Sequence, residues 1–166
     1  MKKLLCILAG TLLWLSIPQQ CEAQAISKYQ AVFIYNFTKY LEWPTPKQPL
    51  VVGVMGNSSV LLELERSAKA KGNSFKVIKV ATMDEVDRCD MIFLPKEQSR
   101  NFSLVAEKTR GKSILIVTED ADLAPKGAHI SFYVENDKLR FIINQEATAA
   151  RDIRVSSSLL TMAKVI

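Results

Sequence analysis

Short apolar runs punctuate the chain at regular intervals. Leu50–Met55 (LVVGVM), Asp90–Leu94 (DMIFL) and Ser113–Val117 (SILIV) are nearly unbroken, the pattern of strands covered on both faces. Phe75–Ala81 (FKVIKVA) alternates, which places it nearer an edge. Helical spacing fills the gaps. Ser58 or Ser59 caps a helix reaching about Lys71, Thr82–Val86 forms a helical turn, and Ser99–Thr109 forms a helix. Glu119–Leu123 reads as a turn or short helix. Then the rhythm changes. In Ala128–Val134, Ile130, Phe132 and Val134 share one face, and His129, Ser131 and Tyr133 the other. Asn136-Asp137 is a turn, and Leu139–Ile143 (LRFII) returns as the second strand of a β-hairpin. Two helical pieces follow, Gln145–Asp152 and Ser156–Ile166. Strand–helix repeats of this kind predict an α/β fold: a doubly wound, mostly parallel sheet with flanking helices and a C-terminal β-hairpin at one edge. With strands counted in chain order, the expected arrangement is 2-1-3-4, the hairpin beyond.

The first helix is predicted over Ser27–Trp43, ended by Pro44-Thr45-Pro46. At 100° per residue, Ile26, Phe33, Ile34, Phe37, Tyr40 and Leu41 fall on one face, with Lys28, Lys39 and Glu42 opposite. A broad apolar stripe on a helix flanking a sheet is core packing, and the polar face lacks the basic bias of a membrane-surface helix. Tyr35 and Trp43 lie off the stripe, where exposed aromatic rings could contact a partner or pack beneath the proline-rich loop.

Ahead of this helix the chain has a different character. Met1-Lys2-Lys3 is basic, Leu4–Ile17 (LLCILAGTLLWLSI) is apolar or small throughout, and Ala23 and Ala25 offer small residues for a signal peptidase. These features predict an exported, periplasmic protein: a signal peptide over 1–23, cleaved after Ala23 or Ala25, and a single α/β domain over 26–166 with no transmembrane segment. Losing Lys2, Lys3 and Glu22 would lower the net charge of +5 by one. No Lys/Arg run has the density of a nucleic-acid patch. Cys6 and Cys21 fall in the leader, so the mature chain would hold Cys89 alone and no internal disulfide.

Catalytic groups are scarce. Met55-Gly56-Asn57-Ser58-Ser59, Pro95-Lys96-Glu97 and Thr118–Asp122 should converge at the carboxyl ends of the strands, where open α/β sheets bind ligands. Met55, Asn57, Ser58, Glu119 and Asp120 are therefore the candidate residues of a ligand crevice. The first loop is a capped turn or an anion cradle, not a P-loop or dinucleotide fingerprint. Glu119, Asp120 and Asp122 suit helix capping better than a metal, for want of further ligands. His129 is the sole histidine, expected as a solvated or hydrogen-bonded side chain, and no nucleophile motif accompanies it. Neither a catalytic residue nor a cofactor is expected.

Two stretches are recognisable together: YQAVFIYNFTKYLEWP (29–44) and KGAHISFYVENDKLRFIINQEATAARDIRVSSSLLTMAKVI (126–166). They resemble the signatures of the YfiR family of exported bacterial proteins. Gly127, Phe132, Glu135, Arg140, Phe141, Asn144, Ala150, Ser156, Ser157, Leu159, Leu160 and Ala163 fill its tail pattern. The resemblance implies a periplasmic regulator that is not an enzyme. Such a protein would restrain a membrane-bound diguanylate cyclase, so that its release raises cyclic-di-GMP and biofilm formation. Related domains attached to sensor kinases make a kinase the other implied partner, and a homodimer stays open. Characterised members carry disulfides. Here Cys89 matches one cysteine position without a partner, and Gly127-Ala128 replaces a Gly-Gly pair.

The leader gives the first prediction. Mass spectrometry of the periplasmic protein should find a chain starting between Gln24 and Ile26. A Met1 start, or a lipid on Cys21, would contradict it.

Overall fold

The computed structural model describes residues 19–45 and 48–166, with side chains from Gln24 onward. The leader expected over 1–23 therefore lies largely outside the described residues, as does Pro46 in the expected helix stop.

Helix α1 (Gln19–Tyr40) precedes a two-residue strand β1 (Leu41–Glu42). Next come β2 (Leu50–Met55), α2 (Ser59–Ala70) and β3 (Phe75–Val80). Then β4 (Met91–Leu94), α3 (Phe102–Lys108) and β5 (Leu115–Thr118) follow, with 3-10 turns at 83–88, 96–101 and 121–126. The chain closes with β6 (Ile130–Glu135), β7 (Lys138–Ile143), α4 (Gln145–Ala149), β8 (Arg154–Val155), α5 (Ser157–Leu160) and β9 (Lys164–Val165). The main sheet runs β3-β2-β4-β5-β6-β7-β9, parallel except for the β6–β7 hairpin. This is the expected 2-1-3-4 order with the hairpin beyond.

Core packs on both faces of the sheet, which is why β4 and β5 are buried at every position. On one face α1 and α2 cover Val52, Val54, Phe93 and Val117; on the other, Phe102 and Val105 of α3 cover Ile92, Leu94 and Ile116. Ile34, Phe37 and Leu41 form the buried stripe of the first helical segment, each contributing roughly 1.5–3 kcal/mol by leaving water. Asp90 stitches the amino ends of three strands. Its Oδ2 accepts from the Val51 N–H at 2.9 Å, its N–H donates to the Val51 carbonyl at 2.8 Å, and its carbonyl accepts from the Leu115 N–H at 2.9 Å.

The structure corrects several expectations. The first helix stops at Tyr40, because Leu41–Glu42 pairs antiparallel with Arg154–Val155 and gains ladder hydrogen bonds that a helix running toward Pro44 could not keep. Tyr40, expected on the inner face, is 41 % exposed: Gln30, Ile34, Phe37 and Leu41 define the buried line and Tyr40 sits to its side. His129 and Ser131 are buried, since the 3-10 turn at 121–126 covers the hairpin's second face as well. Ser156–Ile166 is not one helix. It turns once, then β9 pairs in parallel with β7, the Ile166 N–H donating to the Ile143 carbonyl at 3.0 Å. An open sheet edge outweighs the weak helix propensity of four residues.

Two backbone reversals are well specified. Asn136 and Asp137 both take positive φ (50° and 57°), the left-handed pair a two-residue hairpin turn requires. Gly127 closes the preceding 3-10 turn at φ 104°, where a side chain would be strained.

Gly53 allows β2 and β4 to close on each other's neighbours. A Cβ there would lie 2.5 Å from Cys89 Sγ and 2.7 Å from Val80 Cγ2. Gly53→Ala should therefore cost about 1–3 kcal/mol in urea unfolding, the range for overpacked cores. Gly53→Ala/Cys89→Ala should recover part of that loss, and a Gly53→Ala protein as stable as wild type would refute the packing account.

Candidate functional site

At the carboxyl ends of the parallel strands three loops converge, and α1 comes down over them. β2 hands over to Gly56, at φ 71°, and then to Asn57 and Ser58. Ser58 caps α2, its Oγ accepting from the Val60 N–H at 3.2 Å. After β4, the Lys96 N–H donates to Glu119 Oε2 at 2.7 Å. From α1, Gln30 Nε2 donates to Glu119 Oε1 at 2.8 Å, and Ser27 Oγ lies 2.5 Å from Ser59 Oγ. Together with Phe132, Val134 and Leu139 of the hairpin, these groups line a crevice of about 640 Å³. Burial pushes the Glu119 carboxyl above its ordinary range, while the Lys96 N–H and the Gln30 amide pull it back. The arrangement can present one desolvated carboxylate, serine hydroxyls and an apolar wall; it offers no nucleophile–base pair.

Of the residues singled out in the sequence, Asn57, Ser58 and Glu119 line this crevice. Met55 does not line it: Met55 is buried in the core on the sheet's other face, with its Sδ 3.9 Å from Asn101 Nδ2. Asp120 serves the backbone: its Oδ1 accepts from the Asp122 N–H at 3.1 Å and caps the 3-10 turn. Ser27 and Gln30 join the site without having been singled out, though they left a trace as polar residues spaced three apart on the buried side of an apolar helix. Lys96 comes from the Pro95-Lys96-Glu97 loop expected at the strand ends, but it acts through its backbone N–H, which residue type does not reveal.

Tyr35 and Trp43 lie at the other end of the sheet, near the amino termini of the strands. Tyr35 is half-buried, its ring 5.7 Å from that of Phe75, the first residue of β3. Trp43 Nε1 donates to the Asp90 carbonyl at 3.3 Å. Trp43 also borders a groove of about 800 Å³ with Glu42, Asp152 and Arg154.

The other titratable candidates are structural. His129 Nδ1 accepts from the Ile116 N–H at 2.7 Å, doing the work of a carbonyl between β5 and β6, and burial pushes its pKa down to about 3. Cys89 is buried and its thiol is pushed up to about 12 by burial, with Asp90 adding to the effect, so it is unreactive. Among the described residues no cluster of three or more His, Cys, Asp or Glu side chains could hold a metal ion, and no helix is long and apolar enough to cross a membrane.

The described residues thus build a three-layer α/β sheet with a crevice at its strand ends. The chain belongs to the YfiR/HmsC-like family, whose model matches residues 27–164. That family is regulatory rather than catalytic. No curated protein matches the chain. Solved structures share its fold, two of them at low identity. The ABC domain in complex with L-Trp from Streptococcus pneumonia is 15% identical with a TM-score of 0.61, over 84% of this chain and 60% of that one. A conserved domain protein from Vibrio cholerae is 12% identical with a TM-score of 0.60, over 84% of this chain and 59% of that one. The chain thus spans about three fifths of the length of these structures.

The site yields a direct test. Because burial raises the Glu119 pKa, its contribution to stability is fully present below the unfolded value of 4.5 and is lost as pH rises through the folded value. The Glu119 carboxyl carbon should titrate by NMR above 4.5, and replacing Glu119 by Gln should flatten stability over that window. A midpoint at or below 4.5 would contradict the burial account.

Proposed function

We propose that this protein is an exported periplasmic regulator that restrains a membrane-bound diguanylate cyclase by protein–protein contact. The observation that carries the reading is the family match, which spans nearly the whole described chain. The unreactive Cys89 and the neutral, hydrogen-bonded His129 agree with binding rather than catalysis. Cys89 has no disulfide partner among the described residues, so restraint here would be set by surface contact and not by a redox switch. Tyr35 and Trp43 are the proposed contact residues: each anchors one side in the core and keeps the other at the surface, the usual build of an interface anchor.

A second reading has its own support. The crevice around Glu119 could hold a small ligand, and a structural neighbour is described in complex with L-Trp. A ligand-responsive regulator would combine the two.

A deletion strain should show raised cyclic-di-GMP and biofilm. Pull-down from membranes with the wild-type protein should recover a cyclase. Tyr35→Ala, folded by circular dichroism, should lose that capture and reproduce the deletion. Recovery of a sensor kinase would redirect the partner. A pull-down without any membrane protein, together with a small molecule retained through purification, would replace this reading by the ligand-binding one.

A further inference from the structure

The two edges of the main sheet are finished differently. At one, β9 caps the end of β7. At the other, β3 has β2 as its only strand neighbour among the described residues, over all six positions. The outward backbone groups of Phe75–Val80 thus form a row of donors and acceptors facing away from the sheet. Val77 and Ile78, on opposite faces of that strand, are only partly covered, and Lys76 and Lys79 are exposed. A groove of about 470 Å³ runs alongside, between the end of α2 and this edge, lined by Pro49, Glu65, Lys69, Phe75, Lys76 and Val77 among others.

Charge distinguishes this edge from the rest of the molecule. From Arg66 to Met83 the sequence carries Arg66, Lys69, Lys71, Lys76 and Lys79 and no Asp or Glu. Arg66 pairs with Glu63, but among the described residues none of the four lysines is in an ion pair. By contrast Lys108 and Lys112, on α3 and just after it, are paired with Asp84 and Asp87. Glu85, beyond the strand, accepts from the Ala81 and Thr82 N–H groups and lies within electrostatic reach of Lys79 without pairing with it. The basic face extends past the strand: Lys39 Nζ stands 4.6 Å and Lys71 Nζ 5.7 Å from the centre of the Tyr35 ring, which itself packs on Phe75. Two ammonium groups gathered over one ring concentrate positive charge there for a partner to neutralise.

We propose that the β3 edge is a docking site for an acidic, extended polypeptide segment of a partner protein, added to the sheet as an eighth strand. The open backbone row calls for a peptide, since a lipid headgroup cannot satisfy successive N–H and C=O groups at strand spacing. The lysines call for carboxylates, placed opposite Lys76 and Lys79, with apolar side chains opposite Val77 and Ile78. A second copy of this chain is disfavoured, because edge-to-edge pairing would bring Lys76 and Lys79 against their own counterparts. The inference does not depend on the partner being a cyclase.

The test uses the full processed chain and two short probes of about eight residues, one carrying a Glu-Val-Val-Glu core that matches the Lys76-Val77-Ile78-Lys79 spacing, the other with Lys in place of each Glu. The Glu–Val peptide should slow amide exchange across Phe75–Val80 by about tenfold or more at saturation, with little change in β4 and β5. Raising salt to about 0.3 M should weaken that protection. Lys76→Glu/Lys79→Glu should reverse the preference toward the Lys–Val peptide. Equal protection by both peptides, protection that survives salt, or none from the Glu–Val peptide at millimolar concentration would overturn the proposal. So would protection by phosphatidylglycerol vesicles alone, or a dimer joined through β3.

Discussion

One cluster of aromatic rings ties the first described helix to the hairpin near the other end of the chain. Phe33 and Phe37 of α1 pack against Phe132 and Phe141 of the hairpin, with ring centroids 5.2–6.0 Å apart, and Phe93 of the central strand meets Phe132. Tilted and edge-on contacts of this kind add about 0.5–1.5 kcal/mol each to the large areas the rings remove from water. The contact joins the start of the described chain to its last third and fixes how α1 lies on the sheet. Nearly everything functional about α1 follows from that placement. Its upper turns bring Ser27 and Gln30 to the strand ends, and its lower end lets Leu41–Glu42 pair with Arg154–Val155 and sets Trp43 over Asp90.

The sheet consequently has two chemically different ends. At the amino ends, Asp90 is buried, yet its carboxylate and both its backbone groups are engaged with β2, β5 and Trp43, so that end is a rigid joint. At the carboxyl ends the polar groups line a crevice, and Glu119 is held there by one backbone donor and one side-chain amide rather than by an opposite charge. A desolvated carboxylate held only by neutral donors costs free energy, and such costs concentrate where proteins bind something. The Tyr35 and Trp43 side chains and the Glu119 crevice therefore sit at opposite ends of the same sheet.

The edges differ for a related reason. β9 covers part of the hairpin with only two residues, enough to give the C-terminus a fixed place and to satisfy the Ile143 carbonyl. β3 has no such cover and carries lysines instead, a common defence against self-pairing that leaves a charge-selective opening.

Much of this architecture was legible in the residues. Unbroken runs such as LVVGVM and MIFL had to be central strands, because only a sheet covered on both faces buries every side chain of a strand. The serine before α2 and the Asn136-Asp137 turn declared themselves through local hydrogen bonding and backbone preference, which need no tertiary context. Of the crevice, Asn57, Ser58 and Glu119 were placed by the rule that strand-end loops converge. What the sequence could not decide were contacts between distant segments. The last residues became a strand because β7 left hydrogen-bonding groups open, Leu41–Glu42 left the helix because β8 lay beside it, and His129 was buried because a 3-10 turn folded over its face. Local periodicity reports which face of an element is apolar. Which partner covers that face is settled only when segments far apart in the chain compete for the same surface.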